Sequence, residues 1–272
     1  MLAIEPRKIE SKQIFEFEFS VCTLVTAKDE YNEMCNSFRR CGFTSDVCEY
    51  LYIDNSKENT FDAFAGLNRF LNEAKGRYII LCHQDILLER HDINDLRKRI
   101  VQVSSFDPYW AILANAGGIN LKHTAMHLIR GTGDHLTEKN LPLKTATVDE
   151  NFFLVRNDSN LSLSADLTGF HLYGTDICLI ADILGYNSYV IDFKIIHKSD
   201  GNADRKFFQL KKIYIKKYNR ALRSRFIGTT ITRFYISGNK VLSVLGNLRF
   251  VLFLARQYYK LFRPKRKYSR KV

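Results

Sequence analysis

The run Tyr78-Ile79-Ile80-Leu81-Cys82 passes without a break into His83-Gln84-Asp85. Five mostly apolar residues in a row predict a strand buried on both faces, the kind that parallel sheets use. The abrupt change to imidazole, amide and carboxylate then falls at the carboxyl end of that strand. Open α/β sheets bind their ligands at this edge. A carboxylate beside an imidazole suits a divalent cation, and a cation suits a phosphate. The other role open to Asp85 is to cap the turn that follows.

The flanking sequence repeats the same grammar. Residues 16–26 predict a first strand, residues 30–41 a helix with Asp29 as its candidate cap, and Glu49–Asp54 a second strand closed by Asn55-Ser56. Phe61, Phe64, Leu67, Phe70, Leu71 and Ala74 keep helical spacing, and Gly76 ends it. The order β-α-β-α-β predicts a right-handed, mostly parallel sheet. Further on, the pattern predicts a helix over 92–104, a strand over 110–115 and a return to strand pattern over 147–156. A helix follows over 175–184, stopped by Gly185, and a strand over 187–193. His123, His127 and His135 fall in a segment that reads as strand then loop. A helical metal pair at 123 and 127 is the alternative there.

Bulk composition narrows the class. Of 272 residues, 46% are hydrophobic and 13% aromatic, enough for a packed core. The six cysteines include no Cys-x-x-Cys pair, and Cys22, Cys82 and Cys178 lie in apolar contexts. They read as small core residues of a reducing compartment, not as a structural zinc site. The amino terminus has no long apolar run, and no stretch has the length of a spanning helix. The expectation is a cytoplasmic protein. Gly117-Gly118 does not form the Gly-x-Gly-x-x-Gly fingerprint, which disfavours a dinucleotide enzyme.

Four blocks now stand together: Thr26-Ala27-Lys28, Asp54-Asn55-Ser56, His83-Gln84-Asp85, and Phe170-His171-Leu172-Tyr173-Gly174-Thr175-Asp176-Ile177-Cys178-Leu179, the last followed by Gly185-Tyr186 and His197-Lys198-Ser199-Asp200-Gly201. Over residues 18–202 this order resembles the GT-A glycosyltransferases of the family-2 type, in particular a bacterial branch with an FHFYDxDxCL…HxSxG signature. The resemblance implies a Rossmann-like α/β domain over 1–202 and a nucleotide-diphosphate-sugar donor, with a UDP-sugar favoured. It places Thr26, Lys28, Asp54, Asn55, His83, Gln84 and Asp85 at the donor. Asp85 matches the last acid of the metal motif, whose first acid is His83 here. His197 matches the later histidine of the metal shell. A Mn²⁺ or Mg²⁺ held by Asp85 and His197 would bridge the diphosphate, and imidazole favours Mn²⁺. The family's catalytic carboxylate falls at Gly174, so Asp176 is left as the base of an inverting reaction or as a helix cap. Asp149 and Glu150 are candidates for the acceptor cleft or for a solvated turn. His171 is a candidate for the sugar pocket or a structural histidine.

The charge is uneven. Residues 205–272 hold 20 of the 41 Lys and Arg and no Asp or Glu. This segment predicts a basic helical extension over 203–272, with helices near 203–223 and 239–262. Val241, Leu242, Val244, Leu245, Leu248, Val251 and Leu252 interleave with basic residues, which suits a helix lying on anionic lipid. The reading is a glycosyltransferase of surface-polysaccharide synthesis with a glycan or lipid-linked acceptor, peripheral at the inner membrane face. Two alternatives remain. One is a nucleotidyltransferase, which lacks its Gly-rich basic loop here. The other is a non-catalytic binder of anionic polymer. Nucleic acid is disfavoured because the strand-end acids would repel its phosphates.

Overall fold

A computed structural model describes residues 6, 8–9, 13–130, 133–136, 141–199 and 204–262. The chain divides into two compact units, residues 1–210 and 211–272.

The first unit begins β1 (Phe17–Val25), α1 (Lys28–Arg40), β2 (Cys48–Asp54), α2 (Ala63–Glu73), β3 (Gly76–Cys82), β4 (Ile86–Leu87), α3 (Ile93–Phe106) and β5 (Trp110–Ala114). It continues with the short strands β6 (Ala116–Gly118), β7 (Thr124–Arg130), β8 (Gly133–Leu136), β9 (Leu143–Lys144) and β10 (Thr147–Val148). Then come β11 (Phe152–Arg156), α4 (Tyr173–Ile183), β12 (Asn187–Val190), β13 (Ile195–His197) and α5 (Arg205–Ala221), the last of which runs into the second unit.

Seven strands form the main sheet in the order β2-β1-β3-β11-β5-β12-β9. β1 is parallel to β2 and β3, and β5 to β12, while β11 and β9 run against their neighbours. The architecture is therefore α/β with a mostly parallel sheet, as expected. Alternation within each strand assigns the two faces. Phe19, Val21, Ile80, Phe152 and Leu154 join Met34 and Phe38 of α1 and Leu96, Ile100 and Val103 of α3 in one core cluster. Cys22, Leu24, Leu81 and Phe153 point to the other face, where Leu67 of α2 and Tyr173 of α4 line the same small cavity with them. Burying each large apolar side chain contributes about 1.5–3 kcal/mol, so these two layers hold the strand ends in register. Cys22, Cys82 and Cys178 are all buried.

Local signals explain the helix boundaries. Asp92 caps α3, accepting from the amides of Asn94 and Asp95, and Asp95 returns a bond to the Asp92 amide. Asp29, the expected cap of α1, lies inside its first turn instead, and the N-cap position is Ala27, which makes no side-chain cap bond. Gly185, at φ +87°, turns the chain after α4. The strand pattern over 147–156 is divided between two strands: β10 pairs with β6 and β11 with β3 and β5. Residues 149–151 cross between the two sheets. β13, β4, β6, β7, β8 and β10 make the second sheet, and His197 is paired there with Ile86.

In the second unit an antiparallel hairpin, β14 (Arg225–Gly228) and β15 (Arg233–Ile236), precedes α6 (Lys240–Gly246) and α7 (Arg249–Lys260). The helix expected over 239–262 is thus broken at residues 247–248. Asn247 is taken up by the hairpin edge: its side chain accepts from the Tyr235 amide and donates to the Tyr235 carbonyl. Gly246 lies against the Tyr235 ring, where a Cβ would come within 2.2 Å of Cδ1. Among the described residues, no helix is long and apolar enough to cross a membrane.

Candidate active site

The carboxyl ends of β1, β2 and β3 converge. β3 ends at Cys82, and the His83 amide donates to the Asn151 carbonyl at 2.9 Å, which fixes where the chain leaves the sheet. Gln84 then ties two strand ends together. Its Oε1 accepts from the amides of Thr26 and Ala27 at 2.8 and 2.9 Å, and its Nε2 donates to Thr26 Oγ1 and Glu30 Oε2. All of its polar atoms are thereby engaged in holding the β1–α1 turn. Beside it, Lys28 Nζ lies 2.8 Å from Asp54 Oδ2, and Ser56 donates to Asp54 Oδ1 through both its amide and its hydroxyl. The Lys28 bond, then the Ser56 bonds, hold the Asp54 carboxyl well below the usual range. Asn55 does not face this mouth. It is buried, and its side-chain amide braces the next loop by bonding both the amide and the carbonyl of Phe61.

The carboxyl end of β3 also carries His83 and Asp85, which meet His197. Pairing of β13 with β4 brings residue 197 beside residue 86, and the Lys198 amide donates to the Asp85 carbonyl at 3.1 Å. As a result His197 Nε2 is 3.4 Å from Asp85 Oδ1 and 3.4 Å from His83 Nδ1, and His83 Nδ1 is 3.9 Å from Asp85 Oδ1. Burial works to raise the Asp85 carboxyl. Hydrogen bonds from His197 and Ser199 outweigh it and hold the group ionised well below the usual range. Burial, then the neighbouring His197, pushes His83 down, so its ring is kept neutral and able to donate a lone pair.

This donor set fits a divalent cation. Atoms that share an ion at about 2.1 Å can be at most about 4.2 Å apart, and the three donor atoms meet that limit. Two imidazoles and one carboxylate also suit a borderline transition ion better than Mg²⁺. Asp200 and Gly201, the end of the sequence motif, lie outside the described residues.

The third part of the site comes from the crossing at 149–151 and the start of α4. The Tyr173 hydroxyl donates to the Glu150 carbonyl at 3.2 Å and, with its one proton so used, accepts from His83 Nε2 at 2.9 Å. Glu150 Oε1 accepts from the Gly174 amide at 3.1 Å. His83, Glu150 and Tyr173 line one small cavity with the apolar residues beneath. Burial raises the Glu150 carboxyl to about 8, against the pull of the Gly174 amide. Asp149 is turned aside, accepting from the amide and side chain of Asn151.

The remaining candidates lie elsewhere in the fold. Asp176 is wholly buried, and its two oxygens accept from the amide and hydroxyl of Ser164 at 2.7 and 2.8 Å. It anchors the 164 loop to α4. His171 stands with its ring edge-on to Phe207 and its Nε2 3.7 Å from Asp204 Oδ1, which fits a structural role at the start of α5. His127 lies in a strand, 2.7 Å from Asp192, apart from any helical metal pair.

No family model matches the chain. The protein "ATP synthase subunits region ORF 6" of Fuscovulum blasticum is 34% identical over 239 residues, covering 86% of this chain and 96% of that protein. Among solved structures, the chain is similar to TarS of S. aureus, at 12% identity and a TM-score of 0.47, over 76% of this chain and 44% of that one. It is also similar to GalNAc-T7 with UDP, GalNAc and Mn²⁺, at 8% identity and a TM-score of 0.49, over 74% and 48%. It spans about half the length of each of these two.

Proposed function

We infer from its site that this chain, which belongs to the same family as the ATP synthase subunits region ORF 6 protein of Fuscovulum blasticum, is a metal-assisted glycosyltransferase. The donor we propose is a nucleotide-diphosphate sugar, with UDP-sugars first. The acceptor is a glycan or lipid-linked hydroxyl in surface-polysaccharide synthesis, and the basic 203–272 extension holds the protein to the inner membrane face. The observation that carries this reading is the meeting of His83, Asp85 and His197 at the carboxyl end of β3.

Each part has a physical task. The mouth offers a cation, a carboxylate and the Thr26 hydroxyl to a base and ribose. His83, Asp85 and His197 would hold Mn²⁺, which supplies positive charge to a diphosphate leaving group. Gln84 keeps the β1 and β3 ends in position. Glu150, not Asp176, serves as the base: its carboxylate takes the proton of the acceptor hydroxyl as the acceptor oxygen bonds to the anomeric carbon. The bond from that carbon to the diphosphate oxygen breaks, and its electron pair leaves with the diphosphate. Attack on the face opposite the leaving group inverts the centre. A carboxyl raised by burial is suited to this work near neutral pH.

The test is titration of UDP into the chain with and without Mn²⁺, followed by hydrolysis of a panel of UDP-, GDP- and dTDP-sugars. Mn²⁺-dependent UDP binding with release of sugar from one donor is expected. Absence of nucleotide binding under both conditions would remove the proposal.

A further inference from the structure

The second unit carries a surface that catalysis does not use. Between the β14–β15 hairpin and α7 lies an open groove of about 320 Å³. Phe226, Leu252 and Ala255 give it an apolar floor, and Arg233, Arg256 and Tyr259 stand along it. Neither guanidinium has a hydrogen-bonding or acidic partner among the described residues, and the sequence from 205 to 272 contains no acid to provide one. α7 buries none of its residues. Phe253 and Tyr258, for instance, are 55% and 58% exposed. A water-facing helix this apolar needs a cover, because soluble surfaces seldom leave such patches open. The cover must also be anionic, because every formal charge around the patch is positive.

We propose that this groove binds one anionic phospholipid, with an acyl chain along Phe226, Leu252 and Ala255 and the phosphate held by Arg233 and Arg256. This deepens the membrane part of the functional reading and rests on it. Lipid is favoured over nucleic acid because the floor of the groove is apolar and hydrocarbon fills it, while a polynucleotide would leave that floor wet. Arg suits the phosphate through its paired N–H groups. Tyr259 supplies the amphipathic ring that interfacial segments place at headgroup depth.

The full chain would be mixed with phosphatidylcholine vesicles with and without phosphatidylglycerol, and separately titrated with short-chain soluble phosphatidylglycerol, with inorganic phosphate and with single-stranded RNA. Saturable binding of the soluble lipid is expected, with weak binding of phosphate alone. Arg233→Ala/Arg256→Ala should weaken lipid binding by more than tenfold, since each cation at an anionic surface contributes about 1 kcal/mol, or roughly fivefold. Lys211→Ala/Lys216→Ala removes equal charge from α5 and should leave soluble-lipid binding intact. Ala255→Trp fills the groove without changing charge and should also abolish it. Circular dichroism and Mn²⁺–UDP titration on the same variants separate misfolding, and failure of the catalytic reading, from loss of the groove. Equal weakening by both double variants, tighter binding of RNA than of lipid, or an unaffected Ala255→Trp would overturn the proposal.

Discussion

Glu150 accepts the amide of Gly174 at 3.1 Å, and a Cβ at Gly174 would lie 3.2 Å from Glu150 Cγ and 2.5 Å from the Val148 carbonyl oxygen. One site on the surface of α4 is therefore filled from the neighbouring crossing and closed to a side chain from the helix itself. In the proposed reaction the carboxylate that the resemblance expects at position 174 is supplied instead by Glu150, from a different element.

Glu150→Gln tests this exchange. Glutamine keeps the oxygen that accepts from Gly174 but cannot take a proton. Turnover should fall by about 10²–10⁴-fold, the usual weight of general acid–base catalysis, with donor affinity unchanged. A merely structural Glu150 would leave kcat near wild type, and steady-state kinetics separates the two outcomes.

The same residue sets a pH dependence. Its folded pKa, about 8, lies above the ordinary value of 4.5. The folded state thus binds the proton more tightly than the unfolded state. Stability should fall as pH rises from about 4.5 to 8, and the full cost, a few kcal/mol at most, should be present above 8. Glu150→Gln should match wild type near pH 4 and melt higher near pH 9. Activity should rise through the same range as the base ionises. Parallel thermal melts and rate profiles across pH check both signs.

Asp85→Ala removes the one anionic donor of the cluster. Mn²⁺ affinity, read by the loss of free-ion signal in electron paramagnetic resonance, should drop by at least tenfold to a hundredfold. Loss of partners that only orient ligands already costs that much. Unchanged affinity would take Asp85 out of any metal site.

Asp176→Asn should act on stability. It weakens two buried, charge-assisted bonds to Ser164, at about 1–3 kcal/mol. The expected result is a melting temperature lowered by several degrees with turnover per folded molecule kept. A large fall in kcat at unchanged melting temperature would restore it as a catalytic group.

Gly174→Asp places a carboxylate where the resemblance expects one. Because the new Cβ meets backbone at Val148, it should destabilise by about 1–3 kcal/mol. It should not rescue the Glu150→Gln variant. Recovery of turnover in the double variant would show that position 174 retains room for a base.

Local chemistry in the chain dictated most of the frame. The apolar run 78–82 forced a buried central strand, the spacing of Phe64, Leu67 and Phe70 forced an amphipathic helix, and Asp92 announced the start of another. Polar strand ends at 26, 54 and 83–85 were equally legible, because hydrophobicity changes sharply there. What stayed hidden depended on contacts between distant segments. The apolar pattern of 147–156 could not reveal that two different sheets claim its halves, and only that division delivers Glu150 to α4. Position alone made Asp176 look like a base, whereas its pairing with Ser164, twelve residues away, made it a buried strut. Asn55 read as a ligand for nucleotide until its amide was found spent on Phe61. Sequence fixes what each segment prefers to bury. Which polar group remains free to act is settled by partners brought close through packing, and no local pattern encodes those partners.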